Sequence, residues 1–120
     1  MSYDDQNIFA KILRGEIPCD KVYEDEYVLA FRDIAPQAPI HILVIPKGAY
    51  TSIDDFGTRA SAEEMAAFFG AVAQIADEQG LTENGFRSIA NTGDHGGQEV
   101  PHFHLHLLGG EPIGPMVSKA

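Results

Sequence analysis

The sequence predicts an α+β domain, and three observations point there. Strand-like runs sit beside one another along the chain instead of alternating strictly with helices. Only two segments carry helical periodicity, near the N-terminus and after Ser61. The last apolar run, Val100–Leu108, alternates imidazole and hydrocarbon side chains with the two-residue period of a strand.

Each element follows from local pattern. Ile8, Phe9, Ile12 and Leu13 recur at near-helical spacing until Gly15 and Pro18 stop the run, which predicts a short first helix. Val22–Tyr23 and Val28–Phe31 flank the acidic stretch Glu24–Glu26 and predict a hairpin. His41–Ile45, bounded by Pro39 and Pro46, is apolar on both faces and predicts a central strand. Ser61 and Glu64 have capping-box spacing at the head of the clearest helix. Met65, Phe68, Phe69, Val72, Ile75 and Ala76 form its apolar stripe, which is read as core, and Gly80 closes it. Phe86–Ala90 predicts a further strand, then comes the Gly- and Asp-rich loop Asn91–Gly97. After Leu108 the tail is rich in Gly and Pro and is expected to carry little regular structure. The whole, 120 residues, fits one domain of residues 1–120 with one core.

Composition narrows the function. Eighteen carboxylates against eight Lys and Arg give a formal charge of −10. Such a chain lacks the basic field that nucleic-acid binding requires, so no nucleic-acid partner is expected. Any phosphate site must be local, built from imidazoles, backbone N–H groups or a helix N-terminus. Cys19 is the only cysteine, which excludes an internal disulfide and a multi-cysteine zinc site. No apolar run approaches the roughly 20 residues that span a bilayer, so no membrane partner is expected. Met1–Gln6 lacks the basic and apolar regions of a signal peptide, and a cytoplasmic setting follows as the expectation.

The decisive feature is Pro101-His102-Phe103-His104-Leu105-His106-Leu107-Leu108. In a strand, His102, His104 and His106 share one face at roughly 6.5–7 Å spacing, while Phe103, Leu105 and Leu107 face the core. A neutral imidazole is a good nucleophile towards phosphorus and leaves readily afterwards. Its neighbours donate N–H bonds to phosphoryl oxygens as charge builds there. Crowding three imidazoles also opposes their joint protonation, so at least one should stay neutral near pH 7. The glycines Gly93, Gly96 and Gly97 let backbone N–H groups approach a phosphate, although Gly–Asp clusters alone usually signal only a turn. Two other readings of the triplet stand beside this one: a strand without a chemical role, and a metal site with Glu99 as its nearest carboxylate. His41 would lie beside the triplet if the two strands pair, in a structural or a functional role; His95, in a polar loop, is read as solvated.

With these residues in view, the sequence resembles the histidine triad (HIT) family, whose signature is His-apolar-His-apolar-His and two further apolar residues, His102 to Leu108 here. The resemblance is to its nucleotide-binding, nucleoside phosphoramidase branch. It runs through Ile8-Phe9-Ala10-Lys11-Ile12, Gly15-Glu16-Ile17-Pro18, Phe31-Arg32-Asp33-Ile34, Ala38-Pro39-Ile40-His41, Val44-Ile45-Pro46-Lys47 and Gly96-Gly97-Gln98. It implies a five-stranded antiparallel sheet with two helices, paired with a second copy into a ten-stranded sheet. It implies hydrolysis of purine nucleoside 5′-phosphoramidates, AMP derivatives among them, through a nucleotidyl intermediate on His104, with no cofactor and no metal. His102 and His106 would hold or polarise the phosphate, with His41 in support. Asp33 would bond the ribose hydroxyls, beside Arg32. Ile8, Phe9, Ile12, Phe31, Ile34 and Leu43 would form the base pocket. Asn91, Gly97, Gln98 and Val100 would surround the phosphate. A dinucleoside polyphosphate hydrolase and a nucleotide-binding scaffold are the alternatives that the same residues allow.

Three departures from the family pattern matter. Glu99 stands where many members carry Ser, beside the leaving group, and a carboxylate there favours a cationic amine. Asn7 and Ala10 occupy the region where some relatives have a zinc-binding Cys pair. The tail Gly114-Pro115-Met116-Val117-Ser118-Lys119-Ala120 has no Trp, which some members use to shape the neighbouring subunit's site.

Overall fold

The computed structural model describes residues 2–117. Five strands form one antiparallel sheet: β1 (Lys21–Glu24), β2 (Val28–Arg32), β3 (Ile40–Pro46), β4 (Arg87–Ile89) and β5 (Leu105–Gly109). Their order is β1-β2-β3-β5-β4, which puts the doubly apolar β3 at the centre as its sequence requires. Helices α1 (Ile8–Leu13) and α3 (Ala62–Glu78) are the two expected ones, and the fold is α+β. Two more occur: α2 (Ile53–Arg59), and the single turn α4 (Gly93–Gly96) inside the glycine loop.

Strand alternation sorts the core into two clusters. Val28 and Ala30 of β2, Ile42 and Val44 of β3, and Leu107 of β5 meet Phe68, Ala71 and Ile75 of α3 on one face. Leu29, Phe31, Leu43 and Ile45 meet Phe9 of α1 on the other. The second face is the one that matters for function, because His41, Leu43 and His106 have the same parity as those residues. In the β3–β5 register, His41 pairs with Leu108 and Leu43 with His106, which makes His41 and His106 diagonal neighbours.

Local chemistry accounts for the elements. Asn7 Oδ1 accepts the Ala10 N–H and caps α1. The Asp25 carboxylate accepts the Tyr27 and Val28 N–H groups and closes the β1–β2 turn. The Ser61–Glu64 capping box is complete, and Gly80 follows α3 at φ +72°. One residue of the expected stripe leaves it: Phe69 is 61% exposed, because one step of about 100° from the buried Phe68 carries it off the core face. The tail is irregular from Gly110 to Val117, and residues 118–120 lie outside the described residues.

The main correction concerns the last strand. It begins at Leu105 and not at Val100, so His102 and His104 precede it. Pro101 has no N–H to donate to a ladder. The His102 N–H turns back to the Val100 carbonyl, and the Phe103 N–H goes to the Tyr50 carbonyl at 2.7 Å. Those bonds replace pairing with β3. The side-chain alternation nevertheless continues on the core side, where Phe103 and Leu107 are fully buried and Leu105 packs against them. Among the described residues, no helix is long and apolar enough to cross a membrane.

Candidate active site

The α1 face of the sheet opens into a cavity of about 700 Å³. Its apolar wall is Ile8, Phe9, Ile12, Phe31, Leu43 and Val100, contributed by α1, β2, β3 and the segment before β5. Asp33 and Arg32 lie at the end of β2, and Asn91, Gly97 and Glu99 come from the glycine loop. His41, His104 and His106 supply the polar floor. Of the seventeen positions to which the family resemblance gives a place in the site, sixteen line the cavity or, like His102, sit directly behind it; of the three loop glycines, Gly97 lines it and Gly93 and Gly96 do not. Ile34 belongs to the rim and is 98% exposed.

Gln98 is the exception. Its side-chain amide donates to the Thr51 and Val100 carbonyls and its oxygen accepts the Gly93 N–H. With every polar atom engaged, it braces the loop and leaves the cavity to Gly97 and Glu99.

The imidazoles form two hydrogen-bonded chains whose directions assign their protons. In the first, the Gln37 N–H donates to His41 Nδ1 at 3.0 Å, so the neutral ring keeps its proton on Nε2. His41 Nε2–H then meets His106 Nδ1 at 2.9 Å, which leaves the His106 proton on Nε2 as a donor. In the second chain, His102 Nε2–H donates to the Pro46 carbonyl at 2.8 Å. His104 Nδ1–H donates to the His102 carbonyl at 2.8 Å, so the lone pair of neutral His104 is on Nε2. Among the described residues, that nitrogen has no protein partner. The site therefore sets an available lone pair, on His104 Nε2, beside an N–H donor, His106 Nε2. Their ring centroids are 5.1 Å apart, and Phe9 stands edge-on to His104 at 5.0 Å.

The three triad imidazoles do not stand in one row. His104 and His106 line the cavity, whereas His102 is wholly buried behind them because its segment is a turn and not a strand. Burial pushes the pKa of His102 down to about 4, with the neighbouring His104 adding to the effect against the Pro46 carbonyl. Burial lowers His106 to about 4 as well, helped by His104 and His41. His104 is lowered by burial and partly restored by the His102 carbonyl and the charges of Asp33 and Glu99. All three are neutral at pH 7, where the sequence argument required only one.

Asp33, His41 and His106 place three ligand-type atoms within 4.8 Å of one another. The Gln37 N–H on His41 Nδ1 decides how that cluster behaves. It fixes the proton on Nε2, the atom facing Asp33 at 3.5 Å and His106 at 2.9 Å, so this nitrogen donates and offers no lone pair to a metal.

Sequence reasoning passed over Tyr3, Gln37 and Pro46, which orient the imidazoles. Gln37 and Pro46 act through backbone groups, and no side-chain pattern encodes a backbone N–H or C=O.

Comparison with known proteins agrees with this geometry. The model of the HIT domain matches residues 14–113. A 13.2 kDa HIT-like protein of Azospirillum brasilense is 55% identical over 118 residues, 98% of this chain and 97% of that one. The purine nucleoside phosphoramidase of Escherichia coli K12 is 48% identical over 114 residues, 95% of each chain. The crystal structure of a histidine triad protein from Clostridium difficile superposes with a TM-score of 0.83 at 44% identity, covering 97% of this chain and 100% of that one. A triad on and before the last strand, one antiparallel sheet and near end-to-end relatives lead to one statement: the chain belongs to the HIT family.

Proposed function

We propose that this protein is a hydrolase of purine nucleoside 5′-phosphoramidates. The observation that carries the reading is His104, whose Nδ1–H is tied to a backbone carbonyl so that Nε2 offers its lone pair to an apolar-walled cavity. The phosphoramidase of E. coli, at 48% identity, supports the choice of substrate class.

In the first step the His104 Nε2 lone pair attacks phosphorus and the P–N bond breaks. Its electron pair stays on the amine, which takes a proton from solvent as it leaves. His106 Nε2–H, backed by His41, donates to a phosphoryl oxygen as charge develops there. In the second step water attacks phosphorus, its proton passes to solvent, and His104 recovers its lone pair. The purine lies against Ile8, Phe9, Ile12, Phe31 and Leu43, and the two oxygens of Asp33 accept from the ribose diol. Glu99 sits on the leaving-group side, where its carboxylate favours a cationic amine. No step requires a metal. The same reading carries a homodimer that joins two sheets edge to edge and a cytoplasmic setting.

Mass spectrometry of enzyme quenched during turnover of an adenosine 5′-phosphoramidate tests this. A nucleotide mass on His104, lost in His104→Ala, is expected. An unmodified chain during steady turnover would remove the covalent step. Faster turnover of a dinucleoside polyphosphate than of the phosphoramidate would move the substrate class.

A further inference from the structure

Tyr3 and Asn7 precede the stretch that the HIT domain model matches, residues 14–113, yet they reach the triad. Tyr3 Oη lies 2.6 Å from His102 Nδ1, and the rings meet edge-on at 5.6 Å. His102 Nε2–H is committed to the Pro46 carbonyl, so Nδ1 is an acceptor and the Tyr3 hydroxyl is its donor. Asn7 Nδ2 donates to Tyr3 Oη at 2.9 Å, which occupies a lone pair of the hydroxyl and turns its proton towards the imidazole. The same Asn7 caps α1 through Oδ1 and is 8% exposed.

We infer that Tyr3 is a positioning residue for the nucleophile: its hydroxyl, oriented by Asn7, locks the His102 ring and so holds the His102 carbonyl against His104 Nδ1–H.

The chain of cause is short. Without the Tyr3 proton, the buried Nδ1 of His102 is left as an acceptor with no donor. The ring relieves that by turning Nδ1 towards water or another donor, and its Nε2–H then leaves the Pro46 carbonyl. His102 is held through its N–H to the Val100 carbonyl and through the following Phe103 N–H to the Tyr50 carbonyl, and a turned ring shifts its carbonyl between those two bonds. Its carbonyl then releases His104 Nδ1–H, and His104 spends part of its time with the proton on Nε2. In that state it has no lone pair for phosphorus. The inference rests on the functional reading above for its kinetic consequence and on geometry alone for the tautomers.

Two variants test it. Tyr3→Phe keeps the ring and removes the proton. Asn7→Asp keeps the α1 cap oxygen but replaces the Nδ2 donor with an acceptor, which draws the Tyr3 proton away from His102. Imidazole ¹H–¹⁵N correlation spectra read the tautomers directly. The wild type is expected to show His102 protonated on Nε2 and His104 on Nδ1, and both variants a mixture at His104. With an adenosine phosphoramidate, kcat is expected to fall about 3- to 10-fold at unchanged KM, the consequence of one lost uncharged hydrogen bond acting on the nucleophile. Unchanged His104 tautomers together with unchanged kcat in both variants would overturn the inference. A wild type with no turnover would overturn the functional reading only, and the spectra alone would then decide the role of Tyr3.

Discussion

Acid should destabilise this protein through the buried His102. The ring is 0% exposed, so no solvent screening dilutes the effect of its burial. Its pKa falls from 6.5 to about 4 on folding. A native pKa below the unfolded one means that the unfolded chain binds the proton first, so stability is full above pH 6.5 and is lost as pH falls towards 4. At 1.36 kcal/mol per unit, the loss from this one group is about 2 kcal/mol at pH 5 and about 3 kcal/mol at pH 4. The perturbation is His102→Gln, whose amide keeps a donor for the Pro46 carbonyl but does not titrate. The assay is urea unfolding followed by far-UV circular dichroism from pH 7.5 to 4, since the chain has no Trp for fluorescence. His102→Gln costs stability at neutral pH, but the gap between wild type and variant should narrow by about 3 kcal/mol on acidification. A gap that stays constant over that range would refute the buried, neutral state of His102.

Three further outcomes follow from the site. Burial lowers His104, and the neutral ring is the reactive form, so the acid limb of the kcat/KM profile should lie below 6.5 and activity should fall as pH drops through it. A limb at or above 6.5 in stopped-flow or steady-state rates would contradict that. Asp33→Asn should lower kcat/KM for a ribonucleotide roughly 10- to 100-fold, the effect of weakening hydrogen bonds to a charged acceptor, and leave a 2′,3′-dideoxy analogue little changed. Equal losses on both substrates would place Asp33 elsewhere than at the diol. Glu99→Ser should lower the ratio of lysyl to neutral-amine phosphoramidate rates, which competition kinetics measure; an unchanged ratio would remove Glu99 from leaving-group choice.

The sequence disclosed what side-chain pattern can encode. The run His41–Ile45, apolar on both faces between two prolines, was enough to expect a buried central strand, and the Ser61–Glu64 spacing located α3. Parity along the last run grouped His104 and His106, which do share the cavity, whereas His41 joins them through the β3–β5 register, on which its placement was conditional. Helix α2 escaped because seven residues that bury only Phe56 leave no apolar stripe, although Ser52, Asp54 and Asp55 supply its cap and acidic first turn. The start of β5 was misplaced for a different reason. Alternation of His102, Phe103 and His104 is real, but strand identity depends on a partner for the backbone, and Pro101 together with the Tyr50 carbonyl takes that partner away. Tyr3 escaped because it is ninety-nine residues from His102, a distance that no local window spans.

Why a chain of charge −10 uses this arrangement for an anionic substrate follows from where the protons are fixed. A cationic imidazole would attract phosphate but would have no lone pair with which to attack it. Burial removes that option by holding His102, His104 and His106 neutral. A neutral ring, however, has two tautomers, and only one of them works at each position. The choice is made by main-chain groups: the Gln37 N–H makes His41 a donor to His106, and the His102 carbonyl leaves the His104 lone pair on Nε2. Main-chain groups do not titrate and do not change rotamer, so the assignment holds wherever the backbone holds. Desolvation and backbone polarity together thus supply a lone pair on His104 and an N–H donor on His106, on rings whose centroids are 5.1 Å apart.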